Sequence, residues 1–310
     1  MVAAWLARIP VRVYHMRGLP LSTAHGLQRL LLALAERMSC RLAHRVLCVS
    51  PSLESVALAE KLCGRSKIRV LASGSSNGVD AMDRFNPARW DERATRAIRG
   101  ELGIGPECRV IGFIGRLVRD KGIVDLTEAW RVVRDRYPDV ELILAGPVEP
   151  RDPVPPEVLA ELRDDDRVHL TGLVEDPGAL YAAMDLVVFP SYREGFPNVP
   201  LEAAAMELPT VATHATGSVD AVVDGVTGTL VDRGDASEMI EAISRYLEDP
   251  ELRRCHGEAG RARVLDEFQP QRIWAALHRT YLDLLAGRGL PAPDRGAVVE
   301  DEVVWPQEVQ

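Results

Sequence analysis

Residues 191–210 read SYREGFPNVPLEAAAMELPT and follow the apolar run DLVVFP at 185–190. A strand-length run of β-branched residues therefore turns directly into a helical segment, with Glu194 and Glu202 bracketing the turn. Gly195, Phe196, Pro197 and Asn198 lie between them, and Pro200 falls in the first turn of a helix whose body is expected at 201–207. In an open parallel sheet, the loop leaving a strand's carboxyl end and the N-terminus of the next helix form the ligand side. Free N–H groups there favour phosphate. A solvated turn carries surface glutamates too, so the rest of the chain has to decide between the two readings.

From residue 109 onward the alternation is regular. Strands are expected at 110–114, 140–145, 168–171, 186–189, 210–213 and 229–231, with helices between them and three more helices near 235–247, 250–264 and 270–285. Short β-branched runs separated by helical segments specify an α/β fold with a parallel, doubly wound sheet covered on both faces. Upstream, strands are expected at 11–15, 45–49 and 67–71. Leu27, Leu30, Leu31, Leu34, Met38 and Leu42 recur at helical spacing and mark a long amphipathic helix over 25–42. Ser50-Pro51 reads as an N-cap followed by proline at the first helical position. The chain divides into a partial N-terminal domain at 1–100, a second domain at 101–286, and an acidic segment at 287–310 without periodicity, expected to be disordered.

The 310 residues suffice for two domains. The net charge of -9 is spread over mixed signs and basic clusters such as 93–99 are short, so nucleic acid is not an expected partner. The five cysteines have neither metal nor redox spacing, which implies a reducing, cytoplasmic setting and no structural metal. No apolar run reaches the roughly 18 residues of a membrane span. Arg29, Arg37, Arg41 and Arg45 among the apolar residues of 25–48 nevertheless suit peripheral contact with the inner face of a membrane.

Three loops at strand carboxyl ends carry the polar groups. In GRLVRDKG (115–122), Arg116 and Lys121 stand between glycines and can converge on a diphosphate. The pattern is not a nucleotide P-loop, and no G-x-G-x-x-G follows a strand, so a nicotinamide enzyme loses its main support. In GLVED (172–176), Val174 can present its backbone to a base edge. In the third loop, Glu202 is placed to accept from a ribose diol and Glu194 to reach a sugar. His15 closes a strand and enters a glycine-containing loop, while His214 and Asp80 fit ordinary turns.

Together GRLVRDKG (115–122), EGFPNVPLEA (194–203), TGSVDAVVDGVTGTLV (216–231) and SSNGVDAMDRFNP (75–87) closely resemble the retaining nucleotide-sugar glycosyltransferases of family 4. The two glutamates have the spacing of that family's E-x7-E motif. The resemblance runs over 11–286, and YHMRGL (14–19) with CRLAHRVLCVSPSL (40–53) looks most like enzymes of capsular, teichuronic or lipid-linked oligosaccharide assembly. It implies the GT-B fold of two facing Rossmann-like domains, a nucleotide diphosphate sugar, UDP-linked, as donor, and no further cofactor. A glycan or polyprenyl-linked glycan would be the acceptor. Carried over residue by residue, Arg116 and Lys121 match the diphosphate-holding pair, Glu202 the ribose-binding glutamate and Glu194 the sugar-contacting one. Val174 matches the base loop. Phe196, Asn198, Val199 and Leu201 match backbone donors to sugar and phosphate, and His15 matches a cleft-edge histidine that meets the transferred sugar. Asp220 stands where many members carry glutamate. Because the family's first strands and glycine-rich first loop have no counterpart here, the chain is expected to be a truncated member with an incomplete N-terminal domain. Its 105–286 portion should then bind nucleotide weakly, and transfer should need an upstream segment or partner. The rival expectation is an incompetent homologue acting as a nucleotide-binding or scaffold protein.

Overall fold

The computed structural model describes residues 1–291. A short helix, α1 (Val2–Leu6), precedes β1 (Val13–Met16); α2 (Gly26–Leu42), β2 (Arg45–Cys48), α3 (Pro51–Ala59) and β3 (Ile68–Val70) follow. These strands form a parallel three-stranded sheet in the order β1-β2-β3. Helix α4 (Glu92–Glu101) leads into the second sheet. There β4 (Arg109–Ile114), α5 (Ile123–Arg136), β5 (Val140–Ala145), α6 (Pro156–Asp164), β6 (Val168–Gly172) and α7 (Pro177–Ala183) make the first half. The second half is β7 (Leu186–Phe189), α8 (Asn198–Ala205), β8 (Thr210–Thr213), α9 (Ser218–Ala221) and β9 (Gly228–Val231). Helices α10 (Ala236–Glu248), α11 (Pro250–Glu267) and α12 (Pro270–Ala286) complete the described chain.

The second sheet has 6 parallel strands in the order β6-β5-β4-β7-β8-β9. Its central strands are the β-branched runs, and every residue of β7 and β8 is buried, as a sheet covered on both faces requires. One core layer gathers Leu126, Trp130, Val158, Ile243 and Tyr246. The opposite layer holds Leu180, Tyr181, Leu201, Ala204 and Phe268. The strand order reverses between β4 and β7, so the crevice that doubly wound sheets use for ligands opens beyond those two strand ends. The loops leaving them are 115–122 and 190–197.

The first sheet has its own core of Met16, Leu21, Val46, Leu53 and Ile68. Phe196 packs against this cluster and against the second sheet's core, plugging the junction. Helix α12 returns to the first sheet: Tyr281 meets His15, and Arg288 donates to the Pro10 carbonyl at 3.0 Å.

Two expectations need correction, and for α2 the structure adds which face the sheet takes. Helix α8 starts at Asn198, three residues ahead of the expected body, because extended Pro197 (ψ 136°) already serves as its N-cap; Glu207 lies beyond the helix in a left-handed conformation (φ 60°). The leucine stripe of α2 has the right period, yet Leu27, Leu30, Leu31, Leu34 and Met38 are all at least 50% exposed, and the sheet takes the opposite face through Ala33 and Cys40. The segment expected to be disordered begins instead with a bonded turn, Gly287 N–H to Asp283 and Arg288 N–H to Leu285. The rest of that segment, 292–310, lies outside the described residues.

Candidate active site

The loops leaving β4 and β7, neighbours in the sheet, build the site. Gly122 ends the β4 loop at φ 73°, and a Cβ there would stand 2.1 Å from the Pro190 carbonyl oxygen, so only glycine lets this loop lie against the end of β7. The contact is reinforced by Tyr192 N–H to the Asp120 carbonyl (2.9 Å) and by the Arg193–Asp120 ion pair (2.9 Å). The two loops form one wall.

Within that wall Lys121 Nζ pairs with Glu194 Oε1, and both side chains are more than four-fifths buried. Ser191, itself fully buried, donates its hydroxyl to the same Glu194 oxygen at 2.6 Å; Thr213 holds the Ser191 carbonyl. Lys121 also lies 5.4 Å from the Phe189 ring centroid, on the ring's face. Desolvation makes such a pair costly unless further hydrogen bonds satisfy the carboxylate, and Ser191 supplies one. Glu194 is thus held on a fixed rotamer beside a cation. Arg116, more exposed, pairs with Glu149 at 2.9 Å on the adjoining 146–156 loop. The two cations expected to converge on a diphosphate are therefore each occupied by a different carboxylate.

Glu202 occupies the fifth position of α8 and is largely buried. Tyr181 of α7 donates to its Oε2 at 2.9 Å, and burial raises the Glu202 carboxyl above its ordinary range while raising the Tyr181 phenol further still. The first four backbone donors of a helix lack intrahelical partners, counting from the N-cap. In α8 two of those positions are Pro197 and Pro200, which leaves the N–H groups of Asn198 and Val199 free. Leu201 is the fourth helical residue. Its side chain is 1% exposed and packs in the core, which leaves any donor role to its backbone N–H, one residue beyond the orphan positions.

The remaining assignments are spread around this wall. Phe196 contributes its ring, 5.5 Å from that of Phe268, to the junction between the two cores. Val174 is partly buried on the loop after β6, which Arg84 fastens through the Glu175 carbonyl (2.9 Å). His15 sits on β1 with Nε2 2.8 Å from the Tyr281 hydroxyl; burial, with Arg17 nearby, lowers its pKa below the ordinary histidine value. His214 lies apart, lining a shallow cavity of about 720 Å³ with Arg136 and Glu238. Sequence reasoning missed Ser191, Tyr181 and Tyr281. For Ser191 a signal existed, since it closes the strand three residues before Glu194; the tyrosines come from α7 and α12 and meet their partners only through tertiary folding.

Residues 108–249 match the family described as glycosyl transferases group 1. The capsular polysaccharide biosynthesis glycosyltransferase CapM of Staphylococcus aureus is 34% identical over 282 residues, covering 90% of this chain and 72% of that protein. The chain belongs to the group 1 glycosyltransferases. It is an enzyme of the GT-B fold. The group 1 chain is also 35% identical to the D-inositol 3-phosphate glycosyltransferase of Corynebacterium jeikeium, but spans only 52% of its length. Among solved structures, HepE of Anabaena in complex with UDP and glucose aligns with a TM-score of 0.76 at 25% identity, covering 90% of this chain and 73% of that one. Sucrose-phosphate synthase of Thermosynechococcus elongatus aligns at 0.74 and 25%, covering 92% and 71%. Among the described residues, no helix is long and apolar enough to cross a membrane.

Proposed function

We propose that this glycosyltransferase moves a hexosyl or N-acetylhexosaminyl group, with retention, from a UDP-linked sugar to a glycan or polyprenyl-linked glycan. The observation that carries the reading is the meeting, at the topological switch, of the Lys121–Glu194 pair with the free N-terminus of α8. HepE, whose structure was solved with UDP-glucose, and CapM, a capsular polysaccharide glycosyltransferase, support the donor and acceptor classes. On donor binding, Lys121 leaves Glu194 for the diphosphate and Arg116 leaves Glu149. Glu202 accepts from the ribose diol, and the released Glu194 faces the sugar. The C1–O bond then breaks with its electron pair passing to the diphosphate, whose developing charge Lys121, Arg116 and the Asn198 and Val199 N–H groups stabilise. The acceptor oxygen bonds C1 on the same face and gives its proton to the departing phosphate.

Calorimetry with UDP and UDP-glucose, followed by measurement of UDP release with lipid-linked glycan, tests this reading. Binding and release are expected; binding without release would favour a scaffold role, and no binding would remove the donor assignment. The acceptor side carries one further feature. Residues 1–50 hold seven arginines against one glutamate in a chain of net charge -9, and the exposed stripe of α2 lies within that segment. Such a basic, apolar face suits an anionic lipid surface bearing the acceptor. Co-flotation with phosphatidylglycerol vesicles, lost on Leu30→Glu with Leu34→Glu, is the expected result; unchanged flotation would exclude this face.

A further inference from the structure

The first sheet is fastened to the donor-loop wall at the start of α3. Ser50 caps this helix by accepting from the Leu53 N–H (3.2 Å), and its hydroxyl donates to the Gly195 carbonyl at 2.7 Å. Pro51 has no N–H, so the orphan donor left in the first turn is that of Ser52. Asp220, in the first turn of α9, takes it with both carboxylate oxygens (3.2 and 3.3 Å) and also accepts the Ser52 hydroxyl. Ser52 Oγ in turn accepts from the Gly217 N–H at 2.8 Å. From behind, Arg263 holds the Asp220 and Ala221 carbonyls, each at 2.8 Å, so the backbone that carries the acid has support that does not come from α3.

These contacts bear on the loop that carries Glu194. A Cβ on Gly217 would stand 2.5 Å from the Gly195 carbonyl oxygen, and Glu194 N–H donates to Thr216 at 3.2 Å. The α9 turn and the Glu194 loop are therefore stacked backbone on backbone, and the α3 start is tied to both through the short side chains of Ser50, Ser52 and Asp220.

We propose that Ser52 and Asp220 are positioning residues, which register the first sheet against residues 194–196 so that the sugar-facing side of the donor site is assembled only when α3 is docked. Neither touches the donor. The inference rests on the donor reading above, and it separates two halves of the ligand: Arg116, Lys121 and Glu202 hold the nucleotide, whereas the latch sets Glu194.

The full chain and its Ser52→Ala, Asp220→Ala, double and Ser52→Thr variants are compared in two measurements. Without ligand, amide exchange over 194–200 and 216–221 should quicken by about tenfold or more in each alanine variant, as expected for losing a hydrogen bond to a charged group. By calorimetry, UDP affinity should stay within about twofold while UDP-glucose affinity drops about tenfold. The double variant should be no worse than either single one, because the two residues act as one unit. Ser52→Thr, which keeps the hydroxyl, should behave as wild type. Unchanged exchange, additive losses, or equal loss for UDP and UDP-glucose would overturn the latch. Wild-type chain that binds neither nucleotide would overturn the donor reading, and the exchange measurement would still decide the latch.

Discussion

Lys121 and Glu202 illustrate how opposite demands meet in single side chains. Lys121 neutralises Glu194 in the ligand-free wall and is assigned the diphosphate afterwards, so its removal costs twice. Lys121→Ala is expected to lower UDP-sugar turnover about 100-fold, the order for losing a donor to transition-state charge. It should also lower stability by leaving Glu194 buried beside no cation. Steady-state turnover with a thermal melt on the same sample measures both, and unaltered turnover would sink the diphosphate role. Glu202 behaves in the other direction. Burial raises its folded-state pKa, so the native chain binds the proton more readily than the unfolded one. Its stability contribution is thus favourable below the unfolded value and is lost as pH rises through the raised folded value. Glu202→Gln keeps an acceptor for Tyr181 without the charge. It is expected to raise the melting temperature at pH 7 by roughly 2–4 °C per kcal/mol recovered, with the gain shrinking toward pH 4. UDP affinity should fall about tenfold through loss of a charged acceptor. A melt that gains more at pH 4 than at pH 7 would contradict the sign.

Loops and helices show where the sequence was readable. The alternation of β-branched runs and helical spacing located every strand of the second sheet; β4, β5, β7 and β8 are buried on both faces and read as continuous apolar runs, while the edge strands β6 and β9, only partly buried, were legible from their place in the alternation. Ser50-Pro51 located the start of α3 for the same local reason. Helix α2 was legible in period but not in orientation: periodicity reports that a face is apolar, and the small residues Ala33 and Cys40 on the opposite face were the ones the sheet took. Nor does spacing reveal that Arg116 would pair with Glu149, or that Lys121 would pair with Glu194. The tightest element contact was invisible as well. A Cβ at Gly195 would stand 1.8 Å from the Arg17 carbonyl oxygen, on the loop that follows β1. Gly195→Ala must push these loops apart by about an ångström, a displacement that can cost ~100-fold in rate when it misplaces a reacting group. UDP-glucose turnover should fall by that order while circular dichroism stays native. Wild-type turnover would mean that the loops tolerate separation.

The two sheets share few bonds besides those of the latch, and Phe196 is the ring that enters both cores. The return of α12 adds a tie of its own, through Tyr281 to His15 and, just beyond the helix, Arg288 to the Pro10 carbonyl. The first sheet buries a small core on three strands and leaves the outer face of α2 in water, so its stability is borrowed in good part from this junction. The second sheet, with six strands and two core layers, does not depend on it in the same way. Removing the Phe196 ring should therefore unfold the halves separately. Phe196→Ala is expected to cost about 3 kcal/mol, the lower end for a core aromatic because the ring is only partly buried. Scanning calorimetry should resolve one cooperative transition in the wild type into two, the first assigned by early loss of exchange protection over β1–β3. Saturating UDP should raise the second transition and leave the first nearly unmoved, since the nucleotide half of the site lies on the second sheet and ligand stabilises only the unit it binds. A single transition in Phe196→Ala, shifted as a whole by UDP, would show instead that α12 and the latch suffice to make the chain one cooperative unit.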